Sequence, residues 1–234
     1  MRRISELYHI QNGIPGYRMM HYLLKLEKIN ISINTVHKYM QEMHLHSIAR
    51  RNSKYNAPKN ENEVFPNIIS RDFNPPARNK VWCTDFTNLE YAGGTVRYNC
   101  TILDLYDRSV VASLNSNLLN ADLAINTLRK ALLTHKVPKG LILHSDQGRQ
   151  FSSRAFVEFC RNNHIQQSMS QAGCPYDNAP MERFFNTLKN EFTYHHRFAT
   201  AKDMDLGITD YIFGWYNKER PHTHNNGVPP LLVG

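Results

Sequence analysis

From Lys80 onward the apolar pattern changes, and that switch constrains the fold more than any other feature of the sequence. KVWCTDFTNLEY reads as one strand and AGG as a turn. TVRYNCTILDLY is a second strand, and SVVASLNS a third reached through the turn YDRS. A helix is predicted from Ala121 to Leu133, followed by the short buried run GLILHS, a helix in FSSRAFVEFCRNN and another short strand in HIQQSM. CPYDNAPMERFFNTLKNEF and AKDMDLGITDYIFGWYNKE supply the last helices, with Asp177 and Asn178 available as caps and Pro180 suited to a first turn. Three meandering strands followed by alternating helix and strand predict an α/β fold, a mixed sheet with helices packed on it.

Ahead of that switch the chain has another character. Residues 1–60 hold ten Lys/Arg and three Asp/Glu, a net +7 of the chain's +8. A basic module beside a near-neutral one suggests a polyanion-binding arm. Tyr17 to Lys28 carries Met20, Leu23 and Leu24. After INISIN, with Ser32 or Asn34 able to cap, Val36, Tyr39, Met40 and Met43 recur at helical spacing. Two short helices with Arg18, Lys25, Lys28, His37 and Lys38 outward fit a helix-turn-helix. The predicted domains are a helix-turn-helix module over 1–50, an Asn- and Pro-rich linker over 51–79, and an α/β unit over 80–234. No apolar run approaches a membrane span of roughly 18 residues, and no apolar signal core follows MRRISELYHI, so a cytoplasmic protein is expected. The cysteines (83, 100, 160 and 174) lack zinc spacing and read as reduced thiols.

Three acids sit where a solvated face is hard to invoke. Asp85 lies inside a run that should be a central strand, where an unpaired carboxylate is costly. Asp146 follows LIL directly, at a strand's C-terminal end, and Gln147-Gly148 opens a loop there; mixed sheets place ligands at such ends. On a helical wheel Met181, Phe184, Phe185, Leu188 and Phe192 share an arc of roughly 100°, while Glu182 and Lys189 project together at its edge, roughly 20° apart. Glu182 is also out of register for a capping box, which would need Ala179 as the cap. Three carboxylates from separate segments suit two Mg²⁺ ions, with Mn²⁺ as a substitute, clamping an in-line phosphoryl displacement.

Asp146 and Glu182 are separated by 35 residues, and Lys189 stands seven beyond the Glu. This spacing resembles the D,D(35)E signature of transposases and retroviral integrases on a ribonuclease-H-like fold. The words WCTDFT, TILDLYDRSVV, HSDQGRQFSS, SMSQAGCPYDNAPMERFFNTLKNE and YNKERPH closely resemble the insertion-sequence family three transposases. GYRMMHYLL resembles the helix-turn-helix ahead of that core. The resemblance implies Asp85, Asp146 and Glu182 as metal ligands and Lys189 as a DNA contact. It also implies element ends and target as DNA substrates and a homo-oligomer on DNA. Family members usually act with an upstream helix-turn-helix and leucine zipper, often in a separate frame. The chain has neither, so a second-frame or truncated product is expected, with an upstream-frame protein as a possible partner.

Other candidates stay open at this level. Arg50, Arg51, Asn178 and Arg220 are taken as further DNA contacts, although Asn178 could equally cap its helix and a turn at Pro221 explains YNKERPH as well. Asp104 rivals the three acids as a ligand because it ends an apolar strand. His144 could support Asp146 from the same strand face or be a buried, satisfied histidine. The functions carried forward are a transposase that cuts element ends and joins 3′-OH groups to target DNA, a truncated DNA-binding repressor, and, disfavoured by the spacing, a simple ribonuclease H.

Overall fold

The computed structural model describes residues 1–11, 13, 15–47 and 63–233, and the chain divides into two compact units, Met1–Pro58 and Lys59–Gly234. The expected DNA contacts Arg50 and Arg51, and residues 51–62 of the expected linker, lie outside the described residues. No described helix is long and apolar enough to cross a membrane.

The first unit has three helices, α1 (Arg2–Ile10), α2 (Tyr17–Leu26) and α3 (Ile33–Glu42). They close over Ile4, Leu7, Met20, Leu24, Val36 and Met40. Ser32 caps α3, its Oγ accepting from the Thr35 amide at 3.1 Å, which leaves Asn34 inside the first turn. Helix α1 is additional to the two helices expected here. It buries only Ile4 and Leu7 and begins at Met1 without a side-chain cap, so its sequence signal is faint. Arg3 donates from Nε to Glu27 at 2.7 Å and links α1 to the end of α2.

The second unit is built on a five-stranded sheet in the order β3-β2-β1-β4-β5. Strands β1 (Val81–Tyr91), β2 (Thr95–Asp104) and β3 (Val110–Ser116) form the antiparallel meander. After α4 (Ala121–Thr134), β4 (Ile142–Ser145) runs parallel to β1; after α5 (Arg154–Asn162), β5 (Gln166–Met169) runs parallel to β4. Side chains of neighbouring strand residues enter opposite faces. Trp82 and Ile102 join Leu128, Phe151 and Phe156 under α4 and α5, while Cys83 and Leu103 join Phe184, Leu188 and Ile212 on the other side. That second face is covered by α6 (Ala179–Glu191) and α7 (Ala201–Thr209). Helix α7 opens with a Thr200–Asp203 capping box and widens into a π-helical stretch over Asp210–Tyr216 that buries Tyr211, Ile212 and Tyr216.

Residues 63–79, which read as linker in the sequence, lie along this second unit. Ile69 is buried in its core, with Phe73 packed beside it. The Ile68 amide donates to Ser168 Oγ at 2.9 Å and the Asn79 amide to Asp104 Oδ2 at 2.7 Å. Pro and Asn mask the docking signal because the segment has no repeating period, only single anchors.

Candidate active site

The β1–β4 register decides where the first two acids stand. The parallel ladder pairs Val81 with Ile142 and Cys83 with His144, an offset of 61 (142 − 81). The last pair stands two residues before Asp85 and two before Asp146, so the parallel strands lead both acids to the same end of the sheet. Strand β4 ends at Ser145, so β1 loses that neighbour at Asp85. The gap is the mouth of a cleft of about 510 Å³ lined by Asp85, Asp146, Gln147, Gly148, residues 170–174, Asn178 and Glu182. Glu182 reaches it from the first turn of α6. The structure thus brings all three predicted acids to one cleft.

Their electrostatics are unfavourable as they stand. Asp85 is half-buried and its carboxyl is pushed up to about 7, first by burial, then by Asp146 and, more weakly, by Glu182; the Phe86 amide, donating to Oδ1 at 2.7 Å, opposes the shift. Asp146 and Glu182 are exposed. Among the described residues, no three His, Cys, Asp or Glu side chains are gathered so as to hold a metal ion. The donor chemistry nevertheless fits a hard dication, since the cleft offers carboxylate oxygens from three segments.

Gly148 has a role the sequence hints at only through its place in the loop. Its amide donates to Asp146 Oδ1 at 2.9 Å, and a Cβ at this position would stand 2.8 Å from the same oxygen. Gly148→Ala is therefore expected to leave the fold intact, because the carboxylate can swing away, and to lower any chemistry at the cleft by about a hundredfold, as misplaced reacting groups do. Activity together with thermal melting checks this; parental activity in a folded variant contradicts it.

The far wall is pinned by Asp177. In the sequence this residue reads as a cap, yet it is buried and accepts from the Gln171 amide (2.9 Å), Arg71 Nε (2.6 Å) and Asn67 Nδ2 (3.0 Å). The Gln171 amide first, and Arg71 next, hold its carboxyl below the usual carboxylate range. Ser70 and Arg71 both have positive φ, at 45° and 65°, with Asn67 Oδ1 accepting from the Ser70 amide. A second depression of about 570 Å³ over Asn67, Ser70 and Arg71 shares Gln147, Ser170 and Gln171 with the first cleft, so the two are continuous.

The other candidates separate cleanly. Asp104 is away from the cleft, buried, and accepts from the amides of Asn79 and Tyr106 and from Trp82 Nε1. His144 is fully buried between Ser168 Oγ (2.9 Å) and Ser170 Oγ (3.1 Å), and burial holds its pKa down to about 4. Arg220 grips Glu191 through both Nε and Nη2, at 2.9 and 2.6 Å. Asn178 is buried and makes no side-chain cap. Lys189 is half-buried two turns beyond Glu182, and Arg18, Lys25 and Lys38 are exposed on the first unit, Lys38 lying 3.9 Å from Glu42. Cys83, Cys100 and Cys160 are buried free thiols, and Cys174 is half-buried.

Comparison with known proteins adds three findings. Residues 75–175 and 163–230 match two families described as "Integrase core domain", and residues 1–53 match "HTH-like domain". InsK of insertion sequence element IS150 in Escherichia coli K12 is 31% identical over 98% of this chain and 81% of its own length; the transposase for insertion sequence element IS904 of Lactococcus lactis is 32% identical over 94% and 87%. Among solved structures, the HTLV-2 integrase catalytic core domain in complex with magnesium, in a trimeric form, superposes with a TM-score of 0.51 at 17% identity, covering 66% of this chain and 95% of that one.

Proposed function

The chain belongs to the insertion-sequence family three transposases, with a helix-turn-helix-like module and an integrase core on a ribonuclease-H-like fold, and from that premise we propose that it cuts the ends of its element and joins the freed 3′-OH groups to target DNA at the cleft of Asp85, Asp146 and Glu182. The observation that carries this reading is the convergence of three carboxylates on one open cleft, with Asp85 held protonatable near neutrality first by burial and then by the Asp146 charge. A site that strains its own charges in this way is built to receive positive charge. When bound, a pair of divalent cations held by Asp85, Asp146 and Glu182 would polarise the scissile phosphate and favour deprotonation of the attacking oxygen. The magnesium in the HTLV-2 core supports the choice of ion.

The remaining steps fall to the chain's own side chains. The depression over Asn67, Ser70 and Arg71 shares Gln147, Ser170 and Gln171 with the cleft and offers a path for the strand beyond the cut. Arg71 keeps over half its side-chain surface exposed while paired to Asp177, so it can also face a phosphate. Lys189, on the Glu182 side of α6, would hold the backbone opposite. The displacement needs no covalent protein intermediate, because water or a 3′-OH attacks phosphorus directly and the departing 3′ oxygen leaves with a proton.

DNA affinity is assigned chiefly to the first unit, where Arg18, Lys25 and Lys38 stand outward. Counterions are released wherever a cation neutralises a phosphate, and every phosphate so neutralised adds roughly 0.9 to the steepness of log K against log salt. Replacing the three with Gln is expected to flatten the slope by roughly 2–3 while melting is unchanged. An unaltered slope would remove these residues from the DNA interface. Oligomerisation on DNA is part of the same reading, and the trimer of the HTLV-2 core is consistent with it.

A further inference from the structure

We propose that helix α3 reads base sequence in the major groove of DNA, with Asn34 and Gln41 each recognising an adenine. The inference rests on the DNA-binding reading of the first unit and goes beyond it, because phosphate contacts by Arg18, Lys25 and Lys38 carry no sequence information. Helix α3 buries Val36 and Met40 on one side. On the opposite side Asn34, Lys38 and Gln41 share an arc of roughly 60°, and all three are exposed. The other polar side chains there are engaged within the fold. Lys38 lies 3.9 Å from Glu42, and the His37 ring rests on Tyr17 of α2 with ring centres 4.4 Å apart. The side-chain amides of Asn34 and Gln41 have no partner among the described residues.

Asn34 is the more telling of the two. Asn is a weak helix former, and near a helix start its usual compensation is to cap the first turn. Here Ser32 holds that position, its Oγ accepting from the Thr35 amide at 3.1 Å. Asn34 therefore stands inside the first turn, and no bond of the fold offsets its poor propensity. Local rules are broken in this way where a side chain is kept for a ligand.

The chemistry of that ligand follows from the side chain. A carboxamide offers one acceptor and one donor side by side. In the major groove adenine presents the matching pair, N7 as acceptor and N6–H as donor, whereas guanine presents two acceptors and thymine and cytosine a single hydrogen-bonding group each. Asn34 and Gln41 are two turns apart, about 10 Å along the axis, which exceeds the 3.4 Å step between neighbouring base pairs. They address different pairs. The cations of α2 stand beside this helix. Lys25 shares a depression of about 350 Å³ with Ser32 at the start of α3, and Arg18 lies over the Tyr17 ring on which His37 rests. Those two grip phosphates at the edge of the groove while the amide face of α3 enters it.

The test uses the full chain and duplex DNA carrying the element's termini, read by fluorescence anisotropy beside a scrambled duplex of the same length. In a panel of terminal duplexes each A·T pair is replaced in turn by G·C. Asn34→Ala is expected to lose about tenfold in affinity for the terminal duplex, to bind the scrambled duplex as the parent does, and to keep the parental salt slope. One replaced pair should weaken the parent and leave Asn34→Ala indifferent; Gln41→Ala should be indifferent to a different pair. Both positions are exposed, so both variants should melt with the parent. Equal losses on terminal and scrambled DNA would make the amides backbone contacts, and no loss on either would make them solvated surface. Either result overturns the proposal, as does a parent with no preference for the termini. A parent that binds neither duplex defeats the DNA reading of the first unit itself, a result distinct from these.

Discussion

Glu182→Gln is expected to give a protein that folds and binds DNA and yet has lost strand cleavage and joining by several orders of magnitude. Glu182 is exposed on the first turn of α6, where its neighbours Met181, Phe184 and Phe185 carry the packing. Removing its charge therefore touches little of the fold; exposed changes usually stay within about 0.5 kcal/mol. The isosteric amide removes a negative charge from a cleft shared with Asp85 and Asp146. If that cleft holds dications, the loss falls on charge developing in the transition state, where electrostatic stabilisation is largest. DNA affinity should persist or rise, because one charge facing the phosphate backbone has gone. Product gels with melting and binding curves for the same preparation check this, and near-parental cleavage at saturating Mg²⁺ would return Glu182 to an ordinary surface role.

Asp85→Asn should show the opposite balance, gaining stability where it loses function. The folded-state pKa of Asp85 is about 7 against an ordinary 3.8, so the folded protein holds that proton over a range in which the unfolded chain has released it. The contribution is thus complete below the ordinary value and is lost as pH rises through about 7. Metal-free protein should weaken across that window and stay weakened at pH 8, and Mg²⁺ or Mn²⁺ should restore it. The Asn variant carries no such charge. At pH 8 without metal it is expected to melt about 5 °C above the parent, the advantage shrinking toward pH 5 and reversing when Mn²⁺ is added to both. Equal melting of parent and variant at every pH, or equal Mn²⁺ stabilisation, contradicts the placement of Asp85 in a charge-strained cleft.

Much of this architecture is legible in the sequence because the second unit obeys two periods. The meander β1–β3 announces itself through β-branched and aromatic runs broken by AGG and YDRS, and β4 and β5 through short apolar runs between amphipathic helices. Asp85 is conspicuous for the same reason, as a charge inside a strand. What stays hidden depends on single contacts. Asp177 resembles a helix cap because Asp before a helix usually is one, whereas its actual partners, Asn67 and Arg71, lie over 100 residues away in sequence. Arg220 has the look of a free cation until α7 and its π-helical extension bring it to Glu191. Helix α1 escapes notice because two buried residues in nine carry too little pattern.

Phosphoryl transfer on DNA is assigned to the three carboxylates of one cleft. Its most direct measurement incubates the full chain with end-labelled DNA carrying the element's termini, with and without Mg²⁺, beside Asp85→Asn, Asp146→Asn and Glu182→Gln. Mg²⁺-dependent nicks at the termini and longer joined products are expected from the parent, with all three variants binding the DNA and producing neither. Products that persist in any of the three folded variants, or a parent that binds the termini and makes no nick in Mg²⁺ or Mn²⁺, would contradict it.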